Sequence, residues 1–163
     1  MKSVFVLILL AATAAFSAAS ISTVYKSSLI RVSSYGCQEG YSSKGTLDYD
    51  ARGAINKSKT DAAQANCSIN VGPFEGSYRI DAVARATNSA NNKTVTCKLI
   101  EVESMSGDIL AKYPNSAFVS RGSKGLLTWR DIESLSSESV FNLVCDLPAQ
   151  TGLIGISVTS EDY

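Results

Sequence analysis

The sequence predicts an all-β protein, an antiparallel β-sandwich or jelly-roll-like barrel with one or two short helical turns. Short apolar runs alternate with polar residues at a spacing of two, the period that sends successive side chains to opposite faces of a strand. Turn residues break these runs at near-regular intervals, and no apolar period of 3.6 lasts long enough for a substantial helix. Four cysteines stand in 163 residues without a C-x-x-C pair. That spacing reads as two disulfides rather than a metal site.

Residues 1–19 read as a signal peptide. Lys2 supplies a positive start, Val4 to Leu10 is apolar, and Ser17 and Ala19 offer small residues for cleavage near Ala19 or Ser20. The apolar stretch is short for a retained membrane anchor, and no later segment is apolar enough to span a bilayer. Removing Lys2 leaves fourteen basic and fifteen acidic residues, a net charge of −1. The expected setting is therefore periplasmic, cell-surface or extracellular.

Residues 20–35 form an arm in which Val24, Ile30 and Val32 share one parity. Paired within its own chain, this arm covers an exposed sheet edge. Paired with a neighbour, it would build a surface filament by strand exchange. Residues 36–163 are expected to form a single sandwich domain.

Within that domain, Leu47, Tyr49, Ala51 and Ile55 alternate with Asp48, Asp50 and Arg52, a half-buried strand with a weak point at Gly53. Lys59 to Gln64 suggests a helical turn. Tyr78, Ile80, Ala82 and Ala84 make the next strand. The polar tract from Asn88 to Lys93 and the following Val95, Cys97 and Leu99 predict a hairpin with it. Ser106-Gly107-Asp108 marks another reversal. Leu127 and Trp129 sit in a short strand, and Asp131 to Glu138 suggests a second helical turn. Phe141, Leu143, Cys145 and Leu147 alternate cleanly until Pro148, and Thr151-Gly152 turns into a closing strand with Ile154, Ile156 and Val158.

Three disulfide connectivities are open to Cys37, Cys67, Cys97 and Cys145. Strand parity favours the sequential one. Cys97 and Cys145 share the inward parity of their strands and suit a buried bridge across or within the sandwich. Cys37–Cys67 would then tie the arm to the body. In the chain-entropy description, closing loops of these lengths stabilises by roughly 3.5 to 4 kcal/mol each.

With cysteines and strands laid out, Gly53-Ala-Ile-Asn56 before Cys67, Val95-Thr-Cys97-Lys-Leu99, and Phe141-Asn-Leu-Val-Cys-Asp-Leu-Pro148 carry a resemblance. The chain resembles a group of small exported bacterial proteins of unassigned function over roughly residues 35–158. The resemblance implies a β-sandwich with two bridges and brings no catalytic residues.

Composition narrows function further. The full chain has zero formal net charge, which argues against holding nucleic acid by phosphate neutralisation. It has no histidine, so Ser-His, Cys-His and His-metal chemistry are absent. At 45% apolar residues it is not a disordered chain.

Several constellations remain. Asp48 with Asp50, and Glu101 with Glu103, place two carboxylates two apart. Such a pair could hold Ca²⁺ or support an enzyme if the fold added more oxygens, and otherwise reads as a solvated polar face. Ser123-Lys124 and Ser58-Lys59 supply the residue types of a Ser-Lys dyad, but sequence neighbours point apart on a strand. An aromatic platform for sugar rings could draw on Tyr41, Tyr113 and Trp129. Tyr49 and Tyr78 have core parity, and the parity shared with Leu127 favours burial of Trp129. Asn56-Lys-Ser58, Asn66-Cys-Ser68 and Asn92-Lys-Thr94 match the N-glycosylation pattern. The expected protein is a non-catalytic binding or surface-interaction module, with a glycan or a surface protein as partner and no cofactor.

Overall fold

The computed structural model describes residues 29–32, 37–40, 46–50, 53–70 and 77–161. They form eleven strands: β1 (Leu29–Val32), β2 (Cys37–Glu39), β3 (Leu47–Asp50), β4 (Gly53–Asn56), β5 (Ala63–Ile69), β6 (Ser77–Ala86), β7 (Lys93–Glu103), β8 (Ile109–Val119), β9 (Lys124–Glu133), β10 (Ser139–Leu147) and β11 (Thr151–Glu161). One sheet has the order β3-β4-β11-β6-β9, with β1 also paired to β11. The other runs β2-β5-β10-β7-β8. All pairings are antiparallel. The chain is an all-β sandwich.

The inner faces follow the alternation. Ile69, Val95, Leu99, Phe141, Leu143 and Leu147 of one sheet meet Tyr78, Ile80, Leu127, Leu153, Ile156 and Val158 of the other. The Tyr78 and Phe141 rings meet edge to face at 6.2 Å. Truncating a residue such as Phe141 to alanine would cost roughly 3–5 kcal/mol, because transfer energy and a residual cavity add. Cys37 is joined to Cys67 and Cys97 to Cys145, each across directly opposed residues with Cα atoms 4.0 Å apart. Both bridges lie within the five-stranded sheet, on its core side, and neither crosses the sandwich.

The structure departs from the sequence reading where tertiary pairing outweighs local pattern. The run from Leu47 to Ile55 is two strands, with Asp50 opposite Gly53 (φ 120°). The predicted hairpin around Asn88–Lys93 is instead a crossing between sheets, since β6 pairs with β11 and β9 while β7 pairs with β10 and β8. Alternation sets which face is buried but says nothing about which sheet supplies the partner.

Neither predicted helical turn forms. In the first, the Ser58 hydroxyl accepts from the Thr60 and Asp61 amides at 3.2 and 2.8 Å, a local motif that competes with a helix. Ala63 then opens β5, which buries Ala63, Ala65, Cys67 and Ile69. In the second, β9 continues to Glu133 through a bulge opposite Arg79, with Asp131 at φ 52°, a conformation that Asp tolerates. The last strand starts at Thr151, after a turn closed by Gln150 (φ 64°). A register shift between Leu153 and Gly155 takes Ile154 out of the core and puts Leu153 in.

β1 runs antiparallel to β11 in the same chain, from Leu29 opposite Thr159 to Val32 opposite Ile156. It continues the edge that β4 occupies at Gly152 and Leu153. Residues 1–28 and 33–35 of the predicted leader and arm lie outside the described residues.

Candidate functional site

Registers across the six-stranded sheet align Asp48, Ile55, Gly152, Arg85 and Lys124 in one row, on β3, β4, β11, β6 and β9. Ile55 is buried outside the main core, while its neighbour Ala54 belongs to that core. Gly152 is the centre of the row. A Cβ there would lie 2.7 Å from the Ala54 carbonyl oxygen and 3.0 Å from Ile55 Cγ1, so only glycine lets β4 approach so closely. Gly152 also borders an open cleft of about 280 Å³, lined with it by Ile55, Lys57, Arg85, Thr87 and Asn88.

Two loops are pinned to form its walls. On one side, fully buried Asn56 donates to the carbonyls of Asp61 (2.9 Å) and Leu147 (2.8 Å) and accepts from the Ser58 amide (2.9 Å). This network sets Lys57 at the rim, where its ammonium pairs with Asp48. On the other side, the Thr87 amide donates to Gln150 O at 2.9 Å. Thr87 O accepts from the Ala90 and Gly122 amides, both at 3.2 Å, and Arg121 Nε donates to Asn88 O. Backbone groups are thus satisfied within the walls, leaving side chains to face the opening.

The two outward arginines of β6 differ. Arg79 pairs with Asp81 at 3.0 Å, and Asp81 also accepts from Thr128 at 2.7 Å. Among the described residues no carboxylate pairs with Arg85.

The predicted site residues are dispersed. Trp129 is 5% exposed, and its indole donates to the Tyr113 carbonyl at 2.8 Å, so it ties the edges of the two sheets and offers no face to a sugar. Tyr113 lies within β8, half-buried against the core. Burial raises its phenol above the ordinary value, and Glu101 and Glu133 push it the same way. Tyr41 and the side chain of Asp50 lie outside the described residues. Asp48 is engaged by Lys57, and among the described residues no group of three or more His, Cys, Asp or Glu side chains is gathered for a metal.

Glu101 is not on a solvated face. It is fully buried, and its Oε1 accepts from Leu135 N (2.7 Å), Ser139 Oγ (2.7 Å) and Ser134 Oγ (3.2 Å). Its parity with Val95, Cys97 and Leu99 was the available sign. Asn56, one of the three glycosylation matches, is enclosed in the folded protein, whereas Asn92 is exposed. Arg85, Lys57 and Asn88 carried no local sign, because the cleft is assembled from three separate segments, 55–57, 85–88 and Gly152.

No protein-family profile matches the chain, and no curated protein matches it in sequence. Solved structures do match. A xylan-binding module, CBM15, superposes with a TM-score of 0.50 at 12% identity, over 83% of this chain and 97% of that one. The fold is shared. The CBM36-1 domain of a multidomain xylanase from the hindgut metagenome of Trinervitermes trinervoides gives 0.48 at 10% identity, over 83% and 99%. TmCBM61 in complex with β-1,4-galactotriose gives 0.47 at 9%, over 84% and 90%.

Proposed function

We propose that the protein is an exported, non-catalytic β-sandwich module that binds carbohydrate through the cleft at Arg85. The observation that carries this reading is the cleft itself, with Ile55 and Gly152 as an apolar floor and Lys57, Arg85, Thr87 and Asn88 as a polar rim. A sugar ring has apolar C–H faces and hydroxyl edges, and small-ligand sites combine an apolar lining with a few placed polar groups in this way. Sharing a fold with a xylan-binding module supports the reading. The predicted leader and the two disulfides agree with an oxidising compartment outside the cytoplasm. Asp48, the carboxylate of the cleft row, is held by Lys57, which suits binding rather than acid–base turnover. The resemblance to small exported bacterial proteins fits the same assignment.

The test is affinity electrophoresis of the disulfide-intact mature chain through gels carrying soluble polysaccharides. At least one polysaccharide should retard the protein, and the double variant Arg85→Ala/Asn88→Ala should run freely in that gel. Free migration of the wild type in every gel would reject the assignment.

A further inference from the structure

Resting on the carbohydrate-binding reading, we infer that this cleft selects a sugar bearing a carboxylate, a uronic acid unit of an acidic polysaccharide. Charge is concentrated there. Lys57 and Arg85 line the cleft, Arg121 is anchored to the Asn88 carbonyl at its rim, and Lys124 faces Arg85 across the β6–β9 register. The carboxylate in the same row, Asp48, is already engaged by Lys57. The mature chain, by contrast, is close to neutral overall.

The other acids are divided: Asp61 stands on the loop before β5 and Asp146 at the end of β10, both at the cleft end but outside the cleft lining, and the rest lie further off. Glu103, Asp108, Glu133 and Glu138 sit at the far ends of β7, β8, β9 and β10. A ten-residue strand spans roughly 33 Å, several times the screening length of about 8 Å at physiological salt. No carboxylate lines the cleft itself, so its walls present a positive field locally.

Arg85 supplies the chemistry. Its guanidinium stands beside side-chain-less Gly152 with no described carboxylate partner, whereas Arg79 on the same face of β6 is neutralised by Asp81. A planar guanidinium with parallel N–H donors matches a carboxylate in two hydrogen bonds, and the Lys57 ammonium, paired with Asp48, keeps that carboxylate from competing for Arg85. At about 280 Å³ the cleft is near the lower limit for a small-ligand site, so one sugar unit of a chain would enter while its neighbours lie across the outer sheet.

Isothermal titration of the disulfide-intact mature protein against polygalacturonate, alginate, glucuronoxylan and hyaluronan tests this. Each is paired with its carboxyl-reduced counterpart, which keeps the backbone and removes the charge. At least one acidic polymer should bind. Its reduced form, and the variant Arg85→Gln, should each weaken binding about tenfold or more, as loss of a charged hydrogen-bonded pair implies. Lys112→Gln, on the outer face of β8 towards the acidic end, should leave affinity unchanged, and circular dichroism should show all variants folded.

Equal binding of the acidic and reduced forms would overturn the carboxylate inference while leaving carbohydrate binding intact. Acidic binding untouched by Arg85→Gln would remove the cleft from it. Equal affinity for dextran sulfate or oligoglutamate would show a general polyanion surface and overturn the choice of sugar. Binding to no polysaccharide, acidic or neutral, would reject both readings.

Discussion

The two ends of the sandwich solve the same problem with opposite chemistry. At each end a fully buried polar side chain holds a loop to the sandwich: Asn56 at the cleft end and Glu101 at the other. Asn56 is neutral, and both its amide oxygen and its amide nitrogen are used. Glu101 directs three donors to Oε1, while Oε2 is buried without a hydrogen-bond partner among the described residues. A neutral hub lets the loop around Lys57 be rigid without adding an anion beside the cleft. A carboxylate hub at the far end fastens the 134–139 loop more strongly but adds to an already acidic region. Rigidity is thus obtained at both ends, with a buried carboxylate hub at only one.

Glu101→Ala should give the largest loss. It strips a charged acceptor from the Leu135 amide and from the hydroxyls of Ser134 and Ser139, costing about 4 kcal/mol by urea denaturation. Glu101→Gln keeps an accepting oxygen and should recover most of that loss. If it does not, the carboxylate charge matters more than the hydrogen bonds.

Asn56→Ala should cost about 2 kcal/mol, because neutral hydrogen bonds contribute less than charged ones. A loss as large as that of Glu101→Ala would erase the contrast between the hubs. Gly152→Ala should destabilise by roughly 1–3 kcal/mol through overpacking against Ala54 O and Ile55, and should weaken ligand binding by distorting the floor of the cleft. Unchanged melting and affinity would show that the close approach of β4 is not needed.

The smallest effect is electrostatic. Burial raises the Tyr113 phenol above its ordinary value near 10, aided by Glu101 and Glu133. A raised folded value means stability present below about pH 10 and lost as pH rises through that higher value. Tyr49 behaves alike, raised by burial and then by Glu39. Tyr113→Phe should flatten the alkaline fall in melting temperature, and Glu133→Gln should lower the spectrophotometric titration midpoint of Tyr113. A midpoint unmoved by Glu133→Gln would separate Tyr113 from the acidic end.

The alternation in β10 was legible in full, down to the stop at Pro148, because a period of two with one buried face leaves a single parity for the core. The same logic correctly buried Tyr78, Ile80, Ala82 and Ala84, and pointed to the inward cysteines. It failed at bulges. Ile154 follows the predicted parity, yet the shift at Leu153/Gly155 turns it out of the core. The reading also failed where charge was trusted over parity, as with Glu101, whose inward parity was readable but whose charge suggested a surface.

Local residue order determined the strand content, the faces and the presence of two bridges, since side-chain direction and cysteine oxidation follow from short-range geometry and compartment. Only the tertiary structure decided which strands became neighbours, sending β6 and β7 to different sheets and leaving Trp129 as an internal tie rather than a sugar platform. The cleft belongs to that second class. Ile55, Gly152 and Arg85 are brought side by side by non-local pairing, while Lys57 and Asn88 arrive on loops held by distant carbonyls. Contacts between residues far apart in the chain depend on the closure of the whole sandwich, and no short window of sequence carries that information.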